Sequence, residues 1–181
     1  MTAQISDTLK YQNQEYEILA IENKFPFNPQ DHGFNPVMMH TACYRGYYCL
    51  YFVKEEKMFL SELTINQEEE LPVWQDVKPI RKNPDGLTYS ELDLPIEYSG
   101  GLSIGKGLIE KFYQHMGYQQ PHCFEEVLEF KFNSGNLEEL KDKSQKAEEI
   151  RNIIREKKPP KKEITRYIKA TFSLSYEEKG I

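Results

Sequence analysis

The stretch "TACYRGYYCLYFVKEEKMFLSELTI", residues 41–65, decides the fold that the sequence predicts. Its first half is rich in β-branched and aromatic residues and poor in helix formers, which favours a strand over 41–53. The charged segment 54–57 turns the chain, and residues 58–65 then alternate loosely between apolar and polar side chains. The stretch therefore predicts an antiparallel β-hairpin in which Arg45 lies in the middle of the first strand.

Further strands are predicted on both sides of this hairpin. Two short alternating runs around Asn13 and Gln14 indicate a second hairpin over 9–21. Residues 23–36 contain three prolines, a glycine and three asparagines, a composition typical of a loop. Strand patterns return over 124–132 and, at the end of the chain, over 163–176, where isoleucines alternate with polar residues.

One long amphipathic helix is predicted over about 136–157. Asn136 can cap its N-terminus, and Glu139 stands at the position of a capping box. Apolar residues follow at helical spacing, acidic residues lie near the start, basic residues lie near the end, and Pro159 stops the helix. Strands, one helix and a final strand predict the α+β class with a mostly antiparallel sheet, in one domain over 1–181.

Composition and charge exclude several classes of function. The chain has 181 residues and a net charge of −6, which argues against a general nucleic-acid-binding protein. It contains no apolar run of about 18 residues, so we expect no contact with a membrane. The N-terminus has no secretory pattern, and three cysteines fit a reducing compartment better than a disulfide scaffold. These features predict a cytoplasmic protein.

Residues 99–107, "SGGLSIGKG", match two catalytic patterns incompletely. A phosphate-binding loop needs a hydroxyl after Lys106 to hold Mg²⁺, and Gly107 stands there. A hydrolase elbow at Ser103 needs a histidine after a distant acid, which the sequence lacks. We therefore interpret the stretch as a turn at the end of a strand and expect no catalytic residue and no cofactor.

Two pairs of side chains raise the question of a zinc site. His40 and Cys43 have ligand spacing, but the adjacent His122 and Cys123 would point to opposite faces of a strand. We therefore predict no metal, and expect the cysteines to be small buried residues. Whether the two pairs approach each other in space is open.

Arg45 is the charged residue that the sequence singles out. An arginine among apolar and aromatic residues is costly to bury without a partner. Arg45 could lie at an edge position, or its stem could pack on a tyrosine with the guanidinium in water. Alternatively, the group could be held by tyrosine stacking and directed at an anion or a partner's carboxylate.

Two segments resemble an uncharacterised bacterial family of conserved hypothetical proteins. The first is 41–65 with Cys-Tyr-Arg-Gly-Tyr, and the second is 99–139 with His-Met-Gly-Tyr. Together they cover a little over a third of the chain. The resemblance brings no activity with it. It implies that Ser103 is not a catalytic signature, and it selects Arg45, Tyr47, His115 and Tyr118 as candidates for a shared site.

Two hypotheses of function follow. The preferred one is a non-catalytic, cytoplasmic bacterial interaction module, accessory or immunity-like, because no catalytic pattern is intact and tyrosines favour contact surfaces. Its partner would be a protein of unknown identity. The alternative is a small enzyme or ligand-binding protein with a pocket around Arg45, His115 and Tyr118. There the arginine would bind an anion, and the histidine would act as acid or base.

Overall fold

The structure is a computed structural model that describes residues 2–82 and 86–172. Within these ranges it contains nine strands, two α-helices and three short 3₁₀ turns. The strands are β1 Thr8–Tyr11, β2 Gln14–Ile21, β3 Tyr47–Lys54, β4 Lys57–Ile65, β5 Leu87–Tyr89, β6 Leu94–Pro95, β7 Gly100–Leu108, β8 Phe124–Asn133 and β9 Asn136–Asp142. The helices are α1 Ser144–Lys157 and α2 Lys161–Thr171.

The sheet is mostly antiparallel, as predicted, and seven of the described strands pair in a closed ring. The order around the ring is β3, β1, β2, β7, β8, β9 and β4, and β4 pairs again with β3. Only the β1–β3 pair in this ring is parallel. The pairing that closes the ring is short, because β4 and β9 share a single register pair, Lys57 with Asn136. The short strands β5 and β6 cover the rest of that side of β4.

Both predicted hairpins are confirmed. Tyr47 pairs with Ile65 at one end of β3–β4 and Lys54 with Lys57 at the other, so Glu55 and Glu56 form a two-residue turn. Both turn residues have positive φ, the geometry whose twist matches two antiparallel strands. The first strand of this hairpin is shorter than predicted. It begins at Tyr47, so Arg45 precedes the strand instead of lying in its middle.

Apolar side chains pack on the two faces of this sheet in two separate clusters. The larger cluster fills the ring, where the rings of Tyr11 on β1 and Phe130 on β8 meet at 5.0 Å between centroids. Two strands separate β1 from β8, so this contact crosses the interior. The smaller cluster lies between the outer face of the sheet and the helices, and includes Phe124, Ala147 and Ile168.

The helix predicted over about 136–157 is wrong in its first part. Residues 136–142 form β9, and the two-residue turn before it, Ser134 and Gly135, has positive φ at both positions. The backbone of β9 pairs with β8, and this pairing outweighs the helical pattern of the side chains. The helix begins at Ser144, whose N–H donates to Asp142 at 2.8 Å, so the predicted capping role of Asn136 is also wrong.

The predicted final strand over 163–176 is a helix where the structure describes it. Helix α2 ends at Thr171, and 173–176 lie outside the described residues. Ile164 and Ile168 are four residues apart, a spacing that fits alternation in a strand and one face of a helix equally well. Both contact the smaller apolar cluster, so burial selected the helix.

The stretch "SGGLSIGKG" is a long strand and not a turn at a strand's end. Strand β7 lies between β2 and β8 and is paired along most of its length. Gly105 serves packing there, because a Cβ atom would lie 2.7 Å from the ring of Phe124 and 2.8 Å from a methyl group of Leu19. The glycine therefore allows two large side chains to close over the middle of the strand.

Candidate functional site

The N-terminal segment before β1 lies between the two loops that carry the predicted site residues. The N–H of Gln4 donates to the carbonyl of Gly117 at 2.9 Å, and the N–H of Ile5 donates to the carbonyl of Ala42 at 2.8 Å. The side-chain oxygen of Gln4 accepts from the N–H of Tyr44 at 3.4 Å. This segment therefore brings loops 40–46 and 113–118 together.

Arg45 of loop 40–46 and Asp7 of the N-terminal segment form a buried ion pair. Both guanidinium Nη atoms donate to the two carboxylate oxygens, and Asp7 also accepts from the N–H of Cys49 at 2.6 Å. Only 3% of Asp7 is exposed. Burial by itself lowers the pKa of Arg45, but the charge and hydrogen bonds of Asp7 outweigh that effect and raise it. Arg45 is therefore held as a cation with its charge compensated inside the protein.

Aromatic rings enclose the guanidinium of Arg45. Its central carbon lies 4.7 Å from the ring centroid of Tyr47 and 5.2 Å from that of Phe25, both within cation–π range. Its Nε–H donates to the carbonyl of Tyr47 at 2.7 Å. Partial burial raises the pKa of the Tyr118 hydroxyl, and the positive charge of Arg45 acts to lower it. Two of the four predicted site residues, Arg45 and Tyr47, thus meet beside Asp7, and Tyr118 lies on the loop that the N-terminal segment ties to loop 40–46.

His115 lies in the same loop as Tyr118 but belongs to the surface. It is exposed, and its ring meets that of Tyr113 edge-on, with 5.2 Å between the centroids. The described contact of its ring is with Tyr113 and not with Arg45. Sequence reasoning also missed Asp7, the partner that a buried arginine requires. The requirement for an acid was readable, but nothing local distinguishes Asp7 from the other 28 acidic residues.

The two tied loops carry large exposed side chains. Tyr44, Tyr113, Met116 and Tyr118 are 36%, 39%, 53% and 37% exposed. We call these exposed side chains on the two tied loops, together with His115, the aromatic face. Tyrosine and methionine are enriched at protein interfaces, and exposed apolar groups gathered on two tied loops suit a contact surface.

A separate open groove of about 500 Å³ lies beside loop 23–32 and β6. It is lined by Asn23, Lys24, Phe25, Pro26, Phe27, Asn28, Asp31, His32, Leu94, Pro95, Ile96 and Glu97. Its size is that of a small-molecule site. Phe25 links the groove to the guanidinium of Arg45, whereas His115 and Tyr118 do not line it.

The possible zinc ligands stay in two different places. His40 and Cys43 bridge through their backbones in the loop next to the N-terminal segment. His122 and Cys123 lie in the 3₁₀ turn Pro121–Cys123, so the predicted placement on opposite faces of a strand is wrong, and Cys123 Sγ lies 3.8 Å from His122 Nε2. Both residues are buried, and Cys123 belongs to the cluster under the helices. Across 2–82 and 86–172, no group of three or more His, Cys, Asp or Glu side chains could hold a metal ion. Burial raises the pKa of the Cys43 and Cys123 thiols, which disfavours a reactive thiolate.

The residues of the two catalytic patterns have structural positions. Ser103 is fully buried in β7, and its hydroxyl has no hydrogen-bond partner. Lys106 pairs across the strands with Glu126 at 3.1 Å, and its ammonium lies 5.3 Å from the ring centroid of Tyr16. Because Ser103 is buried, it is not accessible to a substrate. Lys106 forms an ion pair with Glu126 on the neighbouring strand.

Comparisons with known proteins identify no relative of this chain. No family model, no curated protein and no solved structure matches this chain. Neither of the helices in the described ranges has the length and apolar character needed to cross a bilayer.

Proposed function

We propose that this protein is a non-catalytic interaction module of the bacterial cytoplasm, accessory or immunity-like, which binds a protein partner through the aromatic face. The bacterial context comes from the resemblance of residues 41–65 and 99–139. The observation that carries the proposal is the exposure of Tyr44, Tyr113, Met116 and Tyr118 on two loops tied together by one backbone segment.

In this proposal Arg45 and Tyr47 are positioning residues and not contact residues. The ion pair with Asp7 joins the N-terminal segment to loop 40–46, which carries Tyr44 of the aromatic face. A preorganised face loses less conformational entropy on binding, so a rigid support raises affinity without touching the partner.

The alternative, an anion-binding pocket or small active site around Arg45, His115 and Tyr118, has less support. Asp7 already compensates the charge of Arg45, so an incoming anion would compete with a buried carboxylate. The groove of about 500 Å³ is the better place for a small ligand, yet His115 and Tyr118 are not among its lining residues.

The test is recovery of a partner from the lysate of the source organism with the tagged full chain. The face variant, Tyr113→Ser with Met116→Ser, removes exposed contact area without opening the core. A matched control, Val73→Ser with Ile80→Ser, changes two other exposed apolar residues, at 65% and 55% exposure.

We expect a protein in stoichiometric amount with the wild type and the control, and at least a tenfold loss with the face variant. Recovery of no protein, or equal recovery with the face variant, would overturn the proposal. Co-purification of a small molecule in place of a protein would favour the alternative.

A further inference from the structure

The helical end of the chain carries a concentrated positive charge on an acidic protein. Seven exposed basic side chains form what we call the basic corner: Arg155, Lys157, Lys158, Lys161, Lys162, Arg166 and Lys169. Residues 155–169 contain only two acidic side chains, Glu156 and Glu163, so this segment has a net charge of +5. The whole chain has −6, which leaves −11 on the remainder.

Three basic residues of α2 share one side of that helix. Lys162, Arg166 and Lys169 are spaced i, i+4 and i+7, which aligns them in one stripe. Ile164 and Ile168 lie on the opposite side and pack into the cluster under the helices. The basic stripe is therefore turned away from the core.

Two other polyanions fit this surface poorly. Membrane-surface helices insert an apolar face, and the apolar face of α2 is already packed against the protein. Single-stranded nucleic acid needs exposed aromatic rings for stacking. Tyr167, the aromatic residue of α2, is packed with that same cluster and bonds to Glu163 at 3.2 Å through its hydroxyl.

We infer that the basic corner binds an acidic protein segment. Five of its seven cations are lysines, compact charges that attract carboxylates without fixing a geometry. Such a surface attracts an acidic chain at a distance of about one Debye length and gives strongly salt-dependent binding. Its residues are not those of the aromatic face, so each surface can be tested without the other.

The experiment measures fluorescence anisotropy of a labelled poly-glutamate peptide with the full chain at low and at physiological salt. The corner variant is Lys157→Gln, Lys162→Gln and Arg166→Gln, since glutamine retains good helix propensity. The matched control is Lys54→Gln, Lys57→Gln and Lys131→Gln, which removes three exposed cations from the sheet. Circular dichroism verifies that both variants fold.

We expect the corner variant to weaken peptide binding about tenfold, because each exposed ion pair contributes a factor of about 1.5 to 5. The control should change affinity less than twofold, and physiological salt should weaken binding. Absence of peptide binding at low salt, or equal losses with both variants, would overturn the inference. So would tighter binding to a poly-uridine oligonucleotide or to phosphatidylglycerol vesicles. The face variant should leave peptide affinity unchanged, which separates this inference from the proposed function.

Discussion

Removal of the buried carboxylate of Asp7 should destabilise the protein more than most single substitutions. Asp7→Ala leaves both Nη groups of Arg45 and the N–H of Cys49 without their acceptor. The Arg45 side chain is only 16% exposed, so water cannot replace the lost partner well. Breaking a buried pair from one side costs about 3–5 kcal/mol, a large share of the 5–15 kcal/mol that stabilises a typical domain.

Urea denaturation followed by circular dichroism measures this loss. With a slope of about 2 kcal/mol per molar urea, a loss of about 4 kcal/mol lowers the midpoint by about 2 M. The control is the exposed pair of Lys146 and Glu149, at 3.0 Å and about half exposed on both sides. Replacing either with alanine should cost less than about 0.5 kcal/mol.

A double variant distinguishes the lost charge pair from simple loss of packing. Asp7→Leu with Arg45→Met removes both charges and keeps apolar volume. Its loss of unfolding free energy should therefore be smaller, by at least about 2 kcal/mol, than the summed losses of the two single variants. Additive effects, or an Asp7→Ala loss below about 1 kcal/mol, would refute the assignment of this pair as the support of the aromatic face.

Three further outcomes are expected. Burial lowers the pKa of His122 to about 4, so the unfolded chain binds a proton first as pH falls. Stability should then drop by up to about 3 kcal/mol between about pH 6.5 and pH 4. Urea titrations at several pH values should show that the free energy of unfolding of His122→Phe depends less on pH than that of the wild type. The same pH dependence in both proteins would contradict this. Ser103→Ala removes an unpartnered buried hydroxyl, so unfolding should cost the same or about 1 kcal/mol more. A fluorophosphonate should leave Ser103 of the wild type unlabelled, and labelling would restore the hydrolase hypothesis. Gly46 has φ of +77°, and its Cβ would lie 2.2 Å from the carbonyl oxygen of Val37. Gly46→Ala should therefore lower stability by at least about 2 kcal/mol in thermal melts. Gly33→Ala, at φ +83° with open space, should cost about 1 kcal/mol, and similar losses for both would remove the role of the clash.

The two predicted hairpins could be read from the sequence because their information is local. Alternation identifies each strand. Each hairpin has a two-residue turn with positive φ at both positions, Gln12 and Asn13 in the first and Glu55 and Glu56 in the second. The mostly antiparallel sheet follows from such hairpins. Neither step requires knowledge of distant residues.

The end of the chain could not be read in the same way. Leu137 and Leu140 fit a helical stripe, yet 136–142 form a strand because the free edge of β8 needs backbone partners. In α2 the spacing of the isoleucines fits both the two-residue period of a strand and the 3.6-residue period of a helix. Packing of these side chains into the cluster beside the sheet selected the helix. In both places a neighbour distant in sequence decided between two locally acceptable conformations.

The candidate site divides along the same line. Arg45, Tyr47 and Tyr118 were selected from residue types and from a resemblance. Arg45 and Tyr47 meet beside the carboxylate of Asp7, and Tyr118 lies on the neighbouring loop. Asp7 and the exposed aromatic face emerged only in three dimensions. A role in binding remains a prediction for all of them.

The sequence by itself determined the class of the sheet, its two tight hairpins and the absence of an intact catalytic pattern. These depend on alternation, turn residues and spacing, which act over a few positions. Only the tertiary structure decided the closure of the ring, the conformations of 136–142 and 161–171, and the pairing of Asp7 with Arg45. The reason is physical. Backbone groups and buried charges must find partners wherever the folded chain brings them, and here the charged partners are 38 residues apart.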